Sequence, residues 1–225
     1  MTAKSAQKLK SYQRRILLVD DHPIVREGFA EIINSKPDLQ VCGQASAASR
    51  ALEAVSRLRP DLVVVDLSLQ GGSGLELIKQ IKSLHPRLPM LVLSMHDEAL
   101  YAERCLRAGA LGYVMKQEEA GTVMQAVRSV LRGEVHVSKA VRGRMLNTLV
   151  GRQLAPDQTG ISHLSDREIE IFQLIGEGRT TRQIAQKLHR SLSTVETHRA
   201  HIKEKLNLRN AVELMRAAVE WATRR

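Results

Sequence analysis

Three aspartates, a serine and a lysine stand directly after short apolar runs, where a chain leaving a buried strand turns toward solvent. Asp20 and Asp21 follow Ile16 to Val19, Asp66 follows Leu62 to Val65, Ser94 follows Met90 to Leu93, and Lys116 follows Gly112 to Met115. An aspartate in such a place is often only a turn residue. Turn preference does not, however, place carboxylates, a hydroxyl and an ammonium together at the ends of four different runs. Where those ends meet, the carboxylates repel one another, and a hard divalent cation that takes oxygen ligands, such as Mg²⁺, relieves the repulsion. Phosphoryl transfer needs such a combination: an aligned nucleophile, with positive charge set against the transferring group. Asp66 is ionised at neutral pH and needs no activating base.

The elements that must position these groups follow from periodicity. From Arg15 onward short apolar runs alternate with helix-period segments, the pattern of β-α units building a parallel sheet. Five units fit before residue 132. Leu39 to Gly43 supplies the remaining strand, and helices are predicted to begin near Pro23, Ala47, Ser73, Asp97 and Glu118. Val63, Val64 and Val65 form a β-branched run suited to a central strand buried on both faces. In open parallel sheets ligands bind outside the carboxyl ends of the strands, where the charged set falls. The glycines Gly71, Gly72 and Gly74 lack the GxxxxGK[ST] spacing of a phosphate loop and are assigned a turn role.

Residues 15 to 131, with the ordered set Asp20, Asp21, Asp66, Ser94, Tyr113 and Lys116, resemble the receiver domain of two-component response regulators. The resemblance implies a CheY-like, flavodoxin-like α/β fold, a doubly wound five-stranded parallel sheet. It implies that Asp66 accepts a phosphoryl group from a sensor histidine kinase. Asp21, Asp66 and the backbone carbonyl of Ser68 would bind Mg²⁺ directly, and Asp20 through water. Ser94 and Lys116 would hold the phosphoryl oxygens, and Tyr113 would couple their shift to the face formed by the fourth helix and fifth strand. Two positions depart from the pattern: Gln70 and Gln117 stand where many receivers carry proline.

The carboxy-terminal segment is legible through its helix starts. Ser165 with Glu168, Thr180 with Gln183, Ser193 with Glu196, and Asn210 with Glu213 each have capping-box spacing before an apolar helical pattern. Gly176 and Gly178 stop the first helix. The expected apolar faces are Ile169 with Phe172, Ile184 with Leu188, Val195 with Ile202 and Leu206, and Leu214 with Met215 and Ala218. Thr180 to Leu188 and Ser193 to Leu206 have the proportions of a helix-turn-helix, whose second helix enters the major groove of DNA. Its expected solvent face carries Thr194, Thr197, Arg199, Ala200, His201 and Lys203. His198 and His201, three apart on that helix, lack a third metal ligand nearby in the sequence, so a metal site is not expected there.

Residues 162 to 222 resemble the four-helix DNA-binding domain of LuxR-type regulators, an all-α unit separate from the receiver, and the pairing is that of the NarL/FixJ response regulators. In that family base contacts fall at positions matching Glu196, Thr197 and Ala200. A carboxylate near phosphates is unfavourable, so Glu196 is expected to cap its helix, leaving Thr197, Arg199 and Lys203 as the preferred DNA contacts. The last helix, through an exposed surface including Val212, Arg216 and Trp221, would pair two such domains on a pseudo-palindromic site. RNA polymerase is a further candidate partner.

Composition agrees. The net charge of +10 is uneven: residues 1–131 carry 17 Lys/Arg against 14 Asp/Glu, a net +3, and residues 132–225 carry 17 against 10, a net +7. A cationic second half suits a polyanion. Cys42 and Cys105 read as reduced, buried thiols, and no apolar run is long enough to span a bilayer, so a cytoplasmic protein is expected. The expected layout is a mobile basic tail over 1–14, a receiver over 15–131, a linker over 132–161 and a DNA-binding domain over 162–225. The linker includes a short helix between Lys139 and Val150 whose stripe Val141, Met145, Leu146 and Leu149 packs on a domain. Two other readings remain: a phosphatase using Asp66 as covalent nucleophile, which lacks an adjacent general acid, and a transcription factor whose first domain senses a ligand or partner without phosphorylation.

Overall fold

In a computed structural model of the chain, residues 13–69, 72–150, 160–188 and 190–223 are described. The expected tail before residue 13, Gln70, Gly71 and linker residues 151–159 lie outside that set. The chain divides into two compact units, Met1–Ser138 and Lys139–Arg225.

The first unit alternates strand and helix. Its elements are β1 (Arg14–Val19), α1 (Pro23–Asn34), β2 (Leu39–Ala45), α2 (Ala48–Leu58), β3 (Leu62–Val65), β4 (Ser68–Leu69), β5 (Gly72–Ser73), α3 (Gly74–Leu84), β6 (Met90–Ser94), α4 (Glu98–Ala108), β7 (Gly112–Met115) and α5 (Ala120–Leu131). Five strands form one sheet in the order β2-β1-β3-β6-β7, and every neighbouring pair is parallel. β3 is central, as its valine run requires, with Val63, Val64 and Val65 beside Leu17, Leu18 and Val19 on one side and Met90, Leu91 and Val92 on the other. On one face Ile16, Leu18, Val64, Leu91 and Val114 pack with Ile33 of α1 and Val123 and Val127 of α5. Each such side chain contributes roughly 1.5–3 kcal/mol when fully buried. Chain order reverses between β1 and β3, so their carboxyl ends lie side by side at the switch point of the sheet.

Two features correct the assignment of the glycine run to a simple turn. Ser68–Leu69 and Gly72–Ser73 form a two-residue antiparallel ladder, and Gly74 is the first residue of α3, not part of the turn. Its backbone nitrogen donates to Leu67 O at 2.9 Å. Gln117 leaves the loop after β7 held by backbone bonds: Lys116 N donates to Ser94 O at 2.9 Å and Glu118 N to Met115 O at 3.1 Å. Cys105 is buried, whereas Cys42 is only half-buried, and both are free thiols.

The second unit contains α6 (Lys139–Leu149), a single 3₁₀ turn (Ile161–His163), α7 (Asp166–Gly176), α8 (Thr181–Lys187), α9 (Leu192–Lys205) and α10 (Ala211–Thr223). Ile169, Phe172, Ile184, Val195, Ile202, Leu214 and Ala218 are buried as expected. Both cap residues Ser165 and Thr180 make reciprocal capping boxes, with Glu168 and Gln183.

Several expectations for this unit are overturned. On α6 only Val141 is buried, while Leu146 and Leu149 are exposed, so the stripe does not pack as a whole. The cap of α9 is Ser191, not Ser193: Ser191 Oγ accepts from Thr194 N at 3.1 Å. Met215 is half exposed rather than core. Trp221 is partly covered rather than presented to solvent, its ring 5.5 Å from that of Phe172. Close approach of α7 to α10 explains the last two, because a Cβ on Gly176 would lie 2.6 Å from Ala218 O. With the backbones that near, α10 turns Leu214 and Ala218 inward and Met215 out.

Candidate functional site

The strand ends bring the predicted acidic set together. Asp20 and Asp66 are buried at the ends of β1 and β3, and Lys116, at the end of β7, reaches across both. Lys116 Nζ lies 2.7 Å from Asp20 Oδ2 and donates to Asp66 Oδ2 at 2.7 Å. Both residues are anchored further, Asp66 through its backbone. Asp20 Oδ1 accepts from His22 N at 2.8 Å, and Arg26 Nη1 donates to the Asp20 carbonyl at 2.7 Å. Asp66 N donates to Val19 O at 2.8 Å, which ties the two strand ends together.

Burial raises the Asp66 carboxyl above its ordinary range, although the Lys116 ammonium pulls the other way. Burial also acts to lower Lys116, but the neighbouring Asp66 and Asp20 outweigh it and hold the ammonium above its ordinary value. Among the described residues, Asp66 Oδ1 is buried without a hydrogen-bond partner. Asp21 Oδ1 is likewise buried without a hydrogen bond, with His22 Nδ1 2.8 Å away. Oxygens of Asp20, Asp21 and Asp66, with a nitrogen of His22, lie within 4.8 Å of one another. Two buried carboxylate oxygens without hydrogen bonds in a shared acidic pocket fit a hard cation with oxygen ligands.

Ser94 is fully buried beside this pocket, and its Oγ accepts from His96 N at 3.3 Å. Tyr113 is buried too, and its hydroxyl donates to the His96 carbonyl at 2.7 Å. Burial raises the Tyr113 phenol, which stays protonated and able to donate. Ser68 contributes more than the expected backbone position, since its Oγ lies 2.9 Å from His96 Nε2. His96 therefore links Ser68, Ser94 and Tyr113. Sequence reasoning missed it, although it stands two residues beyond Ser94 at a strand end already marked as chemically loaded.

In the second unit Thr197 and Ala200 are exposed on α9, and Thr194 and Lys203 are partly covered. Arg199 is largely covered, its side chain 16% exposed and its Nε 3.6 Å from Glu196 Oε2. The capping role expected for Glu196 is not observed: Glu196 Oε1 accepts from Thr181 Oγ1 at 2.8 Å and so braces α8 against α9. On α10 Val212 is exposed, and the Arg216 guanidinium, also exposed, lies 3.8 Å from Glu220. The absence of a third ligand near His198 and His201 is corrected as well, since Glu168 of α7 joins them with ligand atoms within 4.8 Å. No helix among the described residues is long and apolar enough to cross a membrane.

Residues 16–128 match the response regulator receiver domain family, and residues 162–218 match the luxR family of bacterial regulatory proteins. The chain is 36% identical over 211 residues to the oxygen regulatory protein NreC of Staphylococcus epidermidis, covering 92% of this chain and 97% of that one. Among solved structures, RcsB of Salmonella enterica serovar Typhimurium, bound to promoter rprA in the presence of phosphomimetic BeF₃⁻, superposes with a TM-score of 0.65 at 25% identity, covering 92% and 98% of the two chains. A two-component response regulator of the LuxR family from Aurantimonas gives a TM-score of 0.57 at 34% identity, covering 61% of this chain and 99% of that one. A doubly wound domain with an acidic switch-point pocket and a helix-turn-helix unit thus occur on one chain with relatives matched over nearly its whole length, and the chain belongs to the NarL/FixJ family of two-component response regulators.

Proposed function

We propose that Asp66 is the phosphoacceptor through which a sensor histidine kinase controls DNA binding by α9. The observation that carries this reading is the pocket itself: Asp66 Oδ2 is held by Lys116 at 2.7 Å, while Oδ1 is buried and unpartnered. A carboxylate positioned by one oxygen has the other free to form a bond. In the transfer, that oxygen forms an O–P bond as the P–N bond of a phosphohistidine breaks, and the released imidazole nitrogen takes a proton from solvent. Asp20, Asp21 and Asp66, with the Ser68 carbonyl, would hold Mg²⁺, which when bound offsets negative charge on the transferring group. Lys116 then exchanges a carboxylate for a phosphoryl oxygen, and Ser94 Oγ donates to another. Because Ser94 and Tyr113 both bond to the backbone of His96, movement of Ser94 is passed to the loop before α4. Phosphorylation is then a local charge change with a packing readout.

The DNA surface would be α9, with Thr194, Thr197, Ala200 and Lys203 reaching the groove. Arg199 supports it through Glu196 and turns outward only if that pair opens. Pairing through Val212 and Arg216 of α10 would match a two-fold site. Incubating the full chain with Mg²⁺ and a small acyl-phosphate donor is expected to add one phosphoryl group by mass and to tighten binding to a selected DNA site. Phosphate uptake with no change in DNA affinity would remove the coupling.

Lys203→Ala is expected to weaken binding to all DNA sequences alike and to shallow the slope of log affinity against log salt by about one unit, the release of one counterion. A slope equal to that of the parent protein would take Lys203 off the phosphate backbone.

A further inference from the structure

Glu168, His198 and His201 form a second cluster, remote in sequence from the acidic pocket and unused by the reading above. Glu168 is the third residue of α7 and is buried, and its Oε2 is already engaged, accepting from Ser165 N at 2.7 Å and from Lys205 Nζ at 2.7 Å. Oε1 faces His201 Nδ1 at 3.8 Å. His198 and His201, three residues apart on α9, set their rings nearly perpendicular with centroids 6.5 Å apart. His198 Nδ1 is buried with no hydrogen-bond partner among the described residues. A buried ring nitrogen without a partner carries a desolvation cost that a ligand removes.

We infer that Glu168, His198 and His201 form a site for a late first-row divalent ion of the Zn²⁺ class, joining α7 to the helix that reads DNA. Two imidazoles and one carboxylate are a three-ligand set that such ions accept, with a remaining position left for water. Ligands three apart on a helix converge on one ion in other helical metal sites. Mg²⁺ is not suited to the site, because it demands oxygen ligands in octahedral array. His201 is about half exposed, so the site opens to solvent on that side and an ion has a way in. Lys205 works against binding, as its ammonium shares the carboxylate. It sits on Oε2, however, and leaves Oε1 to the metal. A bound ion would fix α9 against α7 while leaving Thr197 and Ala200 exposed for DNA.

The test uses the full chain in excess Mg²⁺, so that the acidic pocket is filled by its own class of ion, and titrates Co²⁺ as a visible probe with Zn²⁺ as competitor. One Co²⁺ per chain is expected, with d–d absorption in the visible displaced by Zn²⁺. His201→Gln, at an accessible position, is expected to weaken binding at least about tenfold with the circular dichroism unchanged. His198→Gln should do the same, while Asp66→Asn and Cys42→Ser leave the band intact. Zn²⁺ should raise the thermal midpoint of the parent protein and not that of His201→Gln. No visible band at millimolar Co²⁺, or a band that survives His201→Gln, would overturn the site. Neither result bears on Asp66, so failure here is distinct from failure of the phosphorylation reading.

Discussion

Asp66→Asn is expected to abolish phosphoryl uptake from a small acyl-phosphate donor, leaving no mass increase where the parent protein gains one group per chain. Asparagine keeps the size of the side chain but supplies no anionic oxygen to form the bond, and no other carboxylate in the pocket is placed to replace it. Asp20 is held at both oxygens, by His22 N and Lys116, and Asp21 lies beside the His22 ring. The same variant separates chemistry from folding through its pH dependence. Burial raises the folded-state Asp66 carboxyl, so the folded chain binds that proton more tightly than the unfolded chain does. Stability from this group is therefore present below the unfolded value of about 3.9 and lost as pH rises through the folded one. The asparagine variant escapes that loss. Its thermal midpoint should match or exceed that of the parent protein near neutral pH, and the gap should narrow on acidification. A variant that still takes up phosphate would move the acceptor elsewhere, and one that melts far below the parent at neutral pH would show that the carboxylate is structural.

How much of this was legible before the structure depends on whether the deciding force is local. Strand ends were legible because β3 is a valine run buried on both sides and Asp66 must sit at its exit. Convergence of Asp20, Asp66 and Lys116 followed from strand order, which the alternation of elements already constrained. The α9 start was misplaced by two residues for a definite reason. Ser193 with Glu196 fits the capping template better than Ser191 with Thr194, yet the chain caps on Ser191 and leaves Glu196 to accept from Thr181. That choice depends on α8, which no window along α9 contains. The fates of Met215 and Trp221 likewise turn on Gly176, whose missing side chain lets α10 settle against α7. Glu168 went unseen as a companion of His198 and His201 because thirty positions of sequence separate them and only the α7 to α9 packing closes the gap.

Gly74→Ala is the substitution whose expected effect runs furthest against local preference. In the interior of a helix alanine is favoured over glycine by about 1 kcal/mol, so an exposed exchange stabilises. At Gly74 an added Cβ would lie 2.0 Å from Asp66 O, 2.7 Å from Leu67 Cα and 2.9 Å from Asp66 C. All three are backbone atoms and cannot turn aside as a flexible side chain could. Either the first turn of α3 lifts away, breaking the bond from Gly74 N to Leu67 O and moving the Ser73 cap, or the segment carrying Asp66 shifts. Overpacking of this kind costs roughly 1–3 kcal/mol, and displacing a reacting group by about 1 Å can slow transfer about a hundredfold. Gly28→Ala in α1 and Gly121→Ala in α5 provide the contrast, since a Cβ at either would meet nothing within 4 Å. Those two should hold or raise the midpoint and phosphorylate at the parent rate, while Gly74→Ala lowers both. If Gly74→Ala behaves like the other two, the approach of α3 to the Asp66 backbone does not set the position of the Asp66 carboxylate, and the glycine run reverts to an ordinary turn.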